Sequence, residues 1–386
     1  MSLANNNNNQ TEATKPSKSL LLHDTKDLRF ESRTVEPPKG TEVQVAIKAT
    51  GICGSDLHYY SEGRNGDFLV RAPLCLGHES AGVVVAVGPE VTNLKQGDRV
   101  ALEVGMPCRT CNLCQKGRYN LCQKLLFRSS AKVFPHIDGT LTELLNHPSD
   151  LCHRIPDEVS FDQGALIEPL AVCLHAMRRS KPESGSSALV MGAGAVGLLT
   201  AMLLSVHGIV DIVIADIDSQ RLKIAEALIP GIHTITLPTK PPSPSSPTIE
   251  EKLKNAQDSA TLLKGNNREF GFDAVYECTG VEPCVQSSIY ASTPGGKLIL
   301  IGMGRPIQTL PLGAAALREV DIIGVFRYAN TYPAAIRLMA SGKLAGIEKL
   351  VTHRKSLEEG REAFELAKAG KDEQGQPVVK VIIESN

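Results

Sequence analysis

The sequence predicts an α/β chain of two domains: a β-rich domain with metal-ligating groups on its loops, and a doubly wound parallel-sheet nucleotide-binding domain. Three observations point there. The chain has 386 residues, too many for one compact core. Up to about residue 160 it shows short alternating apolar runs separated by turn residues. From Ser187 onward, apolar strands alternate with segments of helical length, the rhythm of a parallel sheet.

Composition narrows the function classes. Lys and Arg number 41 against 42 Asp and Glu, so no charge surplus favours a nucleic acid or an anionic membrane as partner. A neutral small substrate fits better. No apolar run reaches the roughly 18 residues of a membrane span. Ten cysteines, clustered and without a secretory leader before them, read as reduced thiols binding metal in the cytoplasm.

Taken in order, residues 1–19 are an Asn run followed by Thr, Lys, Pro and Ser, expected to be a disordered tail. Leu20–Leu22 and the alternating Val43–Ala49 read as half-buried strands around a Pro-Pro-Lys-Gly turn. Between Gly51 and Glu79 lie Cys53, Ser55, Asp56, His58, His78 and Glu79, and Glu168 follows inside an apolar segment. One thiolate, one imidazole and two carboxylates suit a zinc ion kept open for water or substrate. Val83–Val87 and Arg99–Leu102 continue the short strands.

The most specific local signal is Cys108-x2-Cys111-x2-Cys114-x7-Cys122. Four thiols so spaced wrap tetrahedrally around one Zn2+ and leave no position for chemistry, so this site is expected to be structural. The isolated Cys75, Cys152, Cys173, Cys278 and Cys284 read as core, and His175 and His353 as core or surface.

The nucleotide domain announces itself at Gly192-Ala-Gly194-Ala-Val196-Gly197, between the strand Ala188–Met191 and an apolar helix to His207. The next strand, Asp211–Ala215, ends in Asp216. That context is what the dinucleotide fingerprint requires: glycines for the turn and the close approach, and an acid for the ribose hydroxyls. Asp216 would repel a 2'-phosphate, so NAD is expected rather than NADP. The alternative is an Asp capping the next helix, a task open to Asp218 or Ser219. Arg221 in the following helix is a further cofactor-binding candidate. Pro238–Pro247 is a Pro/Ser-rich insert expected on the surface. Strands at Phe272 and Lys297–Ile301 follow, then amphipathic helices near Ala334–Ala340 and Leu357–Ala369, and a last strand, Val378–Ile383.

The strings Gly51-Ile-Cys-Gly-Ser-Asp-Leu-His-Tyr-Tyr, Leu76-Gly-His-Glu, Gly164-Ala-Leu-Ile-Glu-Pro-Leu, Glu277-Cys-Thr-Gly, Gly324-Val-Phe-Arg-Tyr and Leu350-Val-Thr-His-Arg occur in order. On these the chain resembles the zinc-dependent polyol dehydrogenases of the medium-chain dehydrogenase/reductase superfamily, the sorbitol dehydrogenase branch. The resemblance implies a GroES-like catalytic domain from residues 20–180 and 325–386, with a Rossmann domain, 181–324, inserted. It implies a catalytic zinc on Cys53, His78 and Glu79, with Glu168 reaching it directly or through water. Tyr59, Phe127, Arg327 and Tyr328 would line the substrate or cofactor cleft, and the assembly would be a homotetramer. The chemistry implied is NAD-linked, reversible oxidation of a secondary alcohol of an acyclic pentitol or hexitol to a ketose. Ser55 and His58 would relay the proton and Asp56 would orient a zinc ligand. Two other classes remain open: a zinc alcohol or threonine-type dehydrogenase, and a non-catalytic NAD(H)-binding protein. The segment Ser129–Ile137 looks longer than usual for the family, which bears on substrate choice.

Overall fold

The computed structural model describes residues 14–239 and 247–385. Residues 240–246, most of the Pro/Ser insert, and the first part of the expected tail lie outside them. The first described element is β1 (Lys15–Asp24), antiparallel to β2 (Asp27–Val35), Leu20 standing opposite Phe30. Lys15–Ser19, expected in the tail, therefore belong to a strand. Lys15–Ser19 pair with Val35–Glu31, and the buried Ser17 and Ser19 hydroxyls bond Thr142 Oγ1 at 3.0 and 2.7 Å. Polar composition does not forbid a strand whose backbone and side chains are both satisfied.

The first large sheet is built on β3 (Glu42–Gly51), its alternating valines and isoleucine buried. One edge of β3 carries β4 (Glu79–Val87), followed by β5 (Arg99–Leu102). The other edge is shared by β6 (Leu144–Pro148) and by β15 (Lys380–Glu384), which continues into β14 (Val351–Ser356). The outermost strand beside β5 is β7 (Cys152–Arg154). Residues near both ends of the described chain thus complete one sheet, and Lys380 lies close to Glu79 although 301 positions separate them.

The second sheet is wholly parallel, in the order β10 (His233–Thr236), β9 (Asp211–Asp216), β8 (Ser187–Met191), β11 (Phe272–Glu277), β12 (Ser292–Leu300), β13 (Asp321–Gly324). The chain leaves β8 for one side and later returns to the other, which opens a crevice at the carboxyl ends of β8 and β11. A single apolar core joins the two sheets through the helix α2 (Ile167–Ser180), with Leu166, Leu170, Leu198, Ile214, Tyr332 and Ile382 among its members. No described helix is long and apolar enough to cross a membrane.

Candidate active site and metal centres

The site begins where β3 ends. Cys53 is the N-cap of α1 (Gly54–Glu62), and Asp56, third in that helix, accepts the Cys53 N–H at 3.1 Å. The other Asp56 oxygen accepts from Ser129 Oγ at 2.7 Å and the Gly77 N–H at 3.2 Å, and stands 3.3 Å from His78 Nδ1. Almost fully buried, Asp56 thereby fixes both ligand-bearing loops and turns His78 Nε2 toward Ser55 Oγ, 3.4 Å away. The donor atoms of Cys53, His78 and Glu79 lie within 4.8 Å of one another.

Electrostatics say what belongs there. Burial alone would lower the His78 pKa, but the Asp56 carboxylate and the Cys53 sulfur override it and hold it well above the ordinary value. This pocket of a thiol and carboxylates draws a proton onto histidine, and a divalent cation answers the same demand. Thiol, imidazole and carboxylate are the mixed donor set of an open zinc site. Glu168, buried on α2, does not join the compact trio. Burial pushes its carboxyl up to about 7, with His78 opposing and Glu79 adding to the rise.

Lys380 is the residue the sequence reading missed. Its ammonium contacts both Glu79 oxygens at 2.9 and 2.6 Å and donates to the Ile52 carbonyl at 3.0 Å; lysine and glutamate are 4% and 2% exposed. Although burial disfavours its charge, Glu79 and Cys53 raise its pKa above the ordinary lysine value. A carboxylate has about four lone-pair positions, so Glu79 can serve lysine and a metal together. The available signal was a lone lysine inside Val378-Val-Lys-Val-Ile-Ile, an apolar strand where a charge needs a buried partner.

Beside the trio, the Phe127 ring lies 5.7 Å from His78, and the Arg327 guanidinium sits 3.6 Å above the centre of the same ring. Burial lowers the Arg327 pKa to about 10, while Tyr328, Glu168 and Tyr59 act to raise it. Arg327 Nη1 and the Tyr328 hydroxyl are buried without a hydrogen-bond partner among the described residues. Tyr59 is buried, its hydroxyl accepting from the Ala131 N–H at 3.1 Å. Two other candidates are not brought in. His58 is exposed and stands 3.7 Å from Glu62, outside the buried cluster. Arg221, on α4 (Ser219–Leu228), donates to the Val378 carbonyl at 3.4 Å instead of facing the glycine turn.

The second centre is compact. Sulfur separations of 3.4 Å (Cys108 to Cys122), 3.5 Å (Cys111 to Cys114) and 4.0 Å (Cys108 to Cys114) bracket the about 3.8 Å expected for a tetrahedral Zn–S4 unit with 2.3 Å bonds. All ten cysteines are free thiols. Backbone N–H groups, that of Cys111 first, pull the Cys108 thiol down to about 6, which favours the thiolate a metal needs. Of the isolated cysteines, Cys75, Cys152 and Cys173 are buried, and Cys278 and Cys284 are half-buried.

At the crevice, Gly192 has φ +98°, and a Cβ on Gly197 would stand 1.8 Å from the Gly192 carbonyl oxygen. Only glycine permits this closeness of turn and helix. The helix α3 (Ala195–His207) starts from Gly194, around which space is open, and no side chain caps it. Its first-turn N–H groups, Val196 included, are left for an anion. Asp216 accepts the Ala193 N–H at 2.6 Å and the Asp218 N–H at 2.9 Å, while Asp218 is the helix cap, accepting from the Gln220 N–H. The residues present therefore fit a dinucleotide.

Residues 39–157 match the alcohol dehydrogenase GroES-like domain, and residues 195–341 the zinc-binding dehydrogenase domain. Sorbitol dehydrogenase of Gallus gallus is 41% identical over 358 residues, 93% of this chain and 95% of that one. The chain belongs to the zinc-dependent polyol dehydrogenases of the medium-chain superfamily. Sorbitol dehydrogenase of Bos taurus is 42% identical, over 91% of this chain and 93% of its own. A crystal structure of an Escherichia coli dehydrogenase of unknown specificity superposes with a TM-score of 0.83 at 29% identity, over 96% and 100% of the two chains. This polyol dehydrogenase is an NAD(H)-linked oxidoreductase with zinc.

Proposed function

We propose that the enzyme oxidises a secondary hydroxyl of an open-chain pentitol or hexitol to the ketose, reversibly, with Cys53, His78 and Glu79 holding the catalytic zinc. The observation that carries this reading is Arg327, whose guanidinium stacks on the Phe127 ring beside His78 while its Nη1 is buried without a hydrogen-bond partner among the described residues. A polyol carries further hydroxyls beside the reacting carbon to satisfy this donor, whereas ethanol leaves it bare. Such mismatches support strong discrimination. When bound, zinc supplies the electrophile that acidifies the hydroxyl, and NAD the hydride acceptor.

The chain's own groups do the rest. Asp56 fixes His78, and Lys380 fixes Glu79. Ser55, beside His78, passes the released proton toward solvent, and Glu168, near neutrality in its pKa, takes part in holding it. Gly192, Gly194, Val196 and Gly197 hold the pyrophosphate and Asp216 the adenosine ribose. Cys108, Cys111, Cys114 and Cys122 bind a second, structural zinc. We take 20–180 with 325–386 as the catalytic domain and 181–324 as the nucleotide domain. The free thiols support a cytoplasmic enzyme. Exposed Leu312, Leu317 and Ile322, on and before the free edge strand β13, support self-association toward a tetramer.

The test is initial rates with NAD and NADP across sorbitol, xylitol, the arabinitols, galactitol, threonine and ethanol, with zinc counted on the same sample. NADH formation confined to polyols, at two zinc ions per chain, is the expected result. Turnover of ethanol or threonine alone refutes the substrate class, and no turnover at full zinc content refutes the enzyme reading.

A further inference from the structure

The four-cysteine lobe touches more than its own metal. Between Cys114 and Cys122, three consecutive contacts reach the segment Phe326–Asn330. Asn120 Nδ2 donates to the Phe326 carbonyl at 2.8 Å, the Tyr119 hydroxyl accepts the Asn330 N–H at 2.7 Å, and the Gly117 carbonyl accepts Asn330 Nδ2 at 2.8 Å. Asn120 is 4% exposed and its Nδ2 also lies 3.5 Å from His175 Nε2 on α2, the helix of Glu168. Tyr119 is anchored in turn by Glu103, whose other oxygen bonds His153.

The segment so held is strained. Arg327 has φ +53° and Asn330 φ +58°. Left-handed backbone at non-glycine residues is costly and persists only where neighbours over-determine it. Asparagine tolerates it, arginine less so. The clamp on Phe326 and Asn330 brackets Arg327, stacked on the Phe127 ring beside His78, and Tyr328, each with a buried donor that lacks a hydrogen-bond partner among the described residues.

We propose that Tyr119 and Asn120 are positioning residues for the substrate pocket, so that the four-cysteine lobe sets the placement of Arg327 and Tyr328 as well as its own stability. This rests on the reading of Arg327 as a pocket residue. The lobe and the pocket are thereby mechanically one unit, and the second zinc acts on catalysis through the Phe326–Asn330 segment.

The experiment uses full-length, zinc-loaded enzyme carrying Asn120→Ala, Tyr119→Phe or the exposed control Lys116→Ala, each with and without Arg327→Ala. Zinc per chain, urea midpoint, and kcat and KM for the preferred polyol are measured. Asn120→Ala and Tyr119→Phe should keep both zinc ions and lose about 10- to 100-fold in kcat/KM, mostly as a rise in KM, because a displacement near 1 Å has effects of this size. Lys116→Ala should change nothing, and in the Arg327→Ala background the two lobe variants should add little further loss. Unchanged kinetics for both lobe variants, full additivity with Arg327→Ala, or loss of activity only together with zinc would each overturn the positioning role. If Arg327→Ala itself leaves kinetics unchanged, the pocket reading fails as well.

Discussion

Replacing Lys380 with methionine removes the counter-charge of Glu79 while preserving volume. The lysine uses all three ammonium protons, two toward the Glu79 carboxylate and one on the Ile52 carbonyl, and both partners are almost without solvent. Breaking a buried pair from one side strands the remaining charge and costs about 3–5 kcal/mol. With a urea m-value of ~3 kcal/mol/M, the unfolding midpoint of the zinc-stripped protein should fall by about 1–1.7 M. Far-UV circular dichroism suits the assay, since the chain has no tryptophan. Two comparisons isolate the cause. Zinc-loaded Lys380→Met should show a smaller deficit, because a cation held at the proposed site would also face Glu79. The double variant Lys380→Met/Glu79→Met should recover most of the loss, because replacing both members of a buried pair by apolar groups is close to neutral. A single variant within about 0.5 kcal/mol of the parent, the size of an ordinary surface change, would refute the reasoning, as would a double variant no better than the single.

Three further outcomes follow from other parts of the structure. Gly51→Ala places a methyl 2.3 Å from Glu79 Oε2, so it should weaken zinc retention at the Cys53 centre while sparing the four-cysteine centre, read by metal counting after mild chelation; loss of both or neither argues against this. His147 is fully buried between Arg128 Nε and the Glu103 carbonyl, and burial, then Arg128, holds its pKa well below 6.5. Its stabilising contribution is therefore complete above about pH 6.5 and is lost as pH falls toward the folded value, so His147→Gln should flatten the fall in urea midpoint between pH 7 and pH 5; an equal fall in both proteins contradicts it. Asp216→Ser should raise the NADP-to-NAD ratio of kcat/KM and, by freeing the Ala193 N–H, weaken binding of NAD itself; an unchanged ratio removes Asp216 from the ribose.

Much of the architecture was legible. Arg99–Leu102, the helix ending at His207 and the strand Asp211–Asp216 stand where periodicity put them, because each is an apolar run bounded by glycine or a charged turn. The strand Asp27–Val35 was invisible, since Asp-Leu-Arg-Phe-Glu-Ser-Arg-Thr-Val buries only Leu28 and owes its conformation to pairing with β1. At the site, the motif spacing singled out Cys53, His78, Glu79 and the four thiols, two groups that the fold brings together. It could not show that Lys380 meets Glu79, or that Asn120 meets Phe326 from 206 positions away, because no periodicity encodes a contact made through the fold. Nor could it show that His58 is exposed on its short helix with Glu62 3.7 Å away.

The separation of 301 positions between Glu79 and Lys380 also imposes an order in time. On a ribosome adding about 5–20 residues per second, roughly 15–60 s pass between the emergence of the carboxylate and of the ammonium that neutralises it. Throughout that interval β3 lacks β15 on its edge, and Cys53 waits beside an unpaired acid. The inserted nucleotide unit, whose sheet needs no strand from outside it, is complete well before then. Maturation of the redox centre is thus a late event in biosynthesis, and a growing chain that stalls before Lys380 carries a folded dinucleotide fold joined to an open, thiol-bearing half-sheet, a form suited to capture by quality control or by an early metal ion.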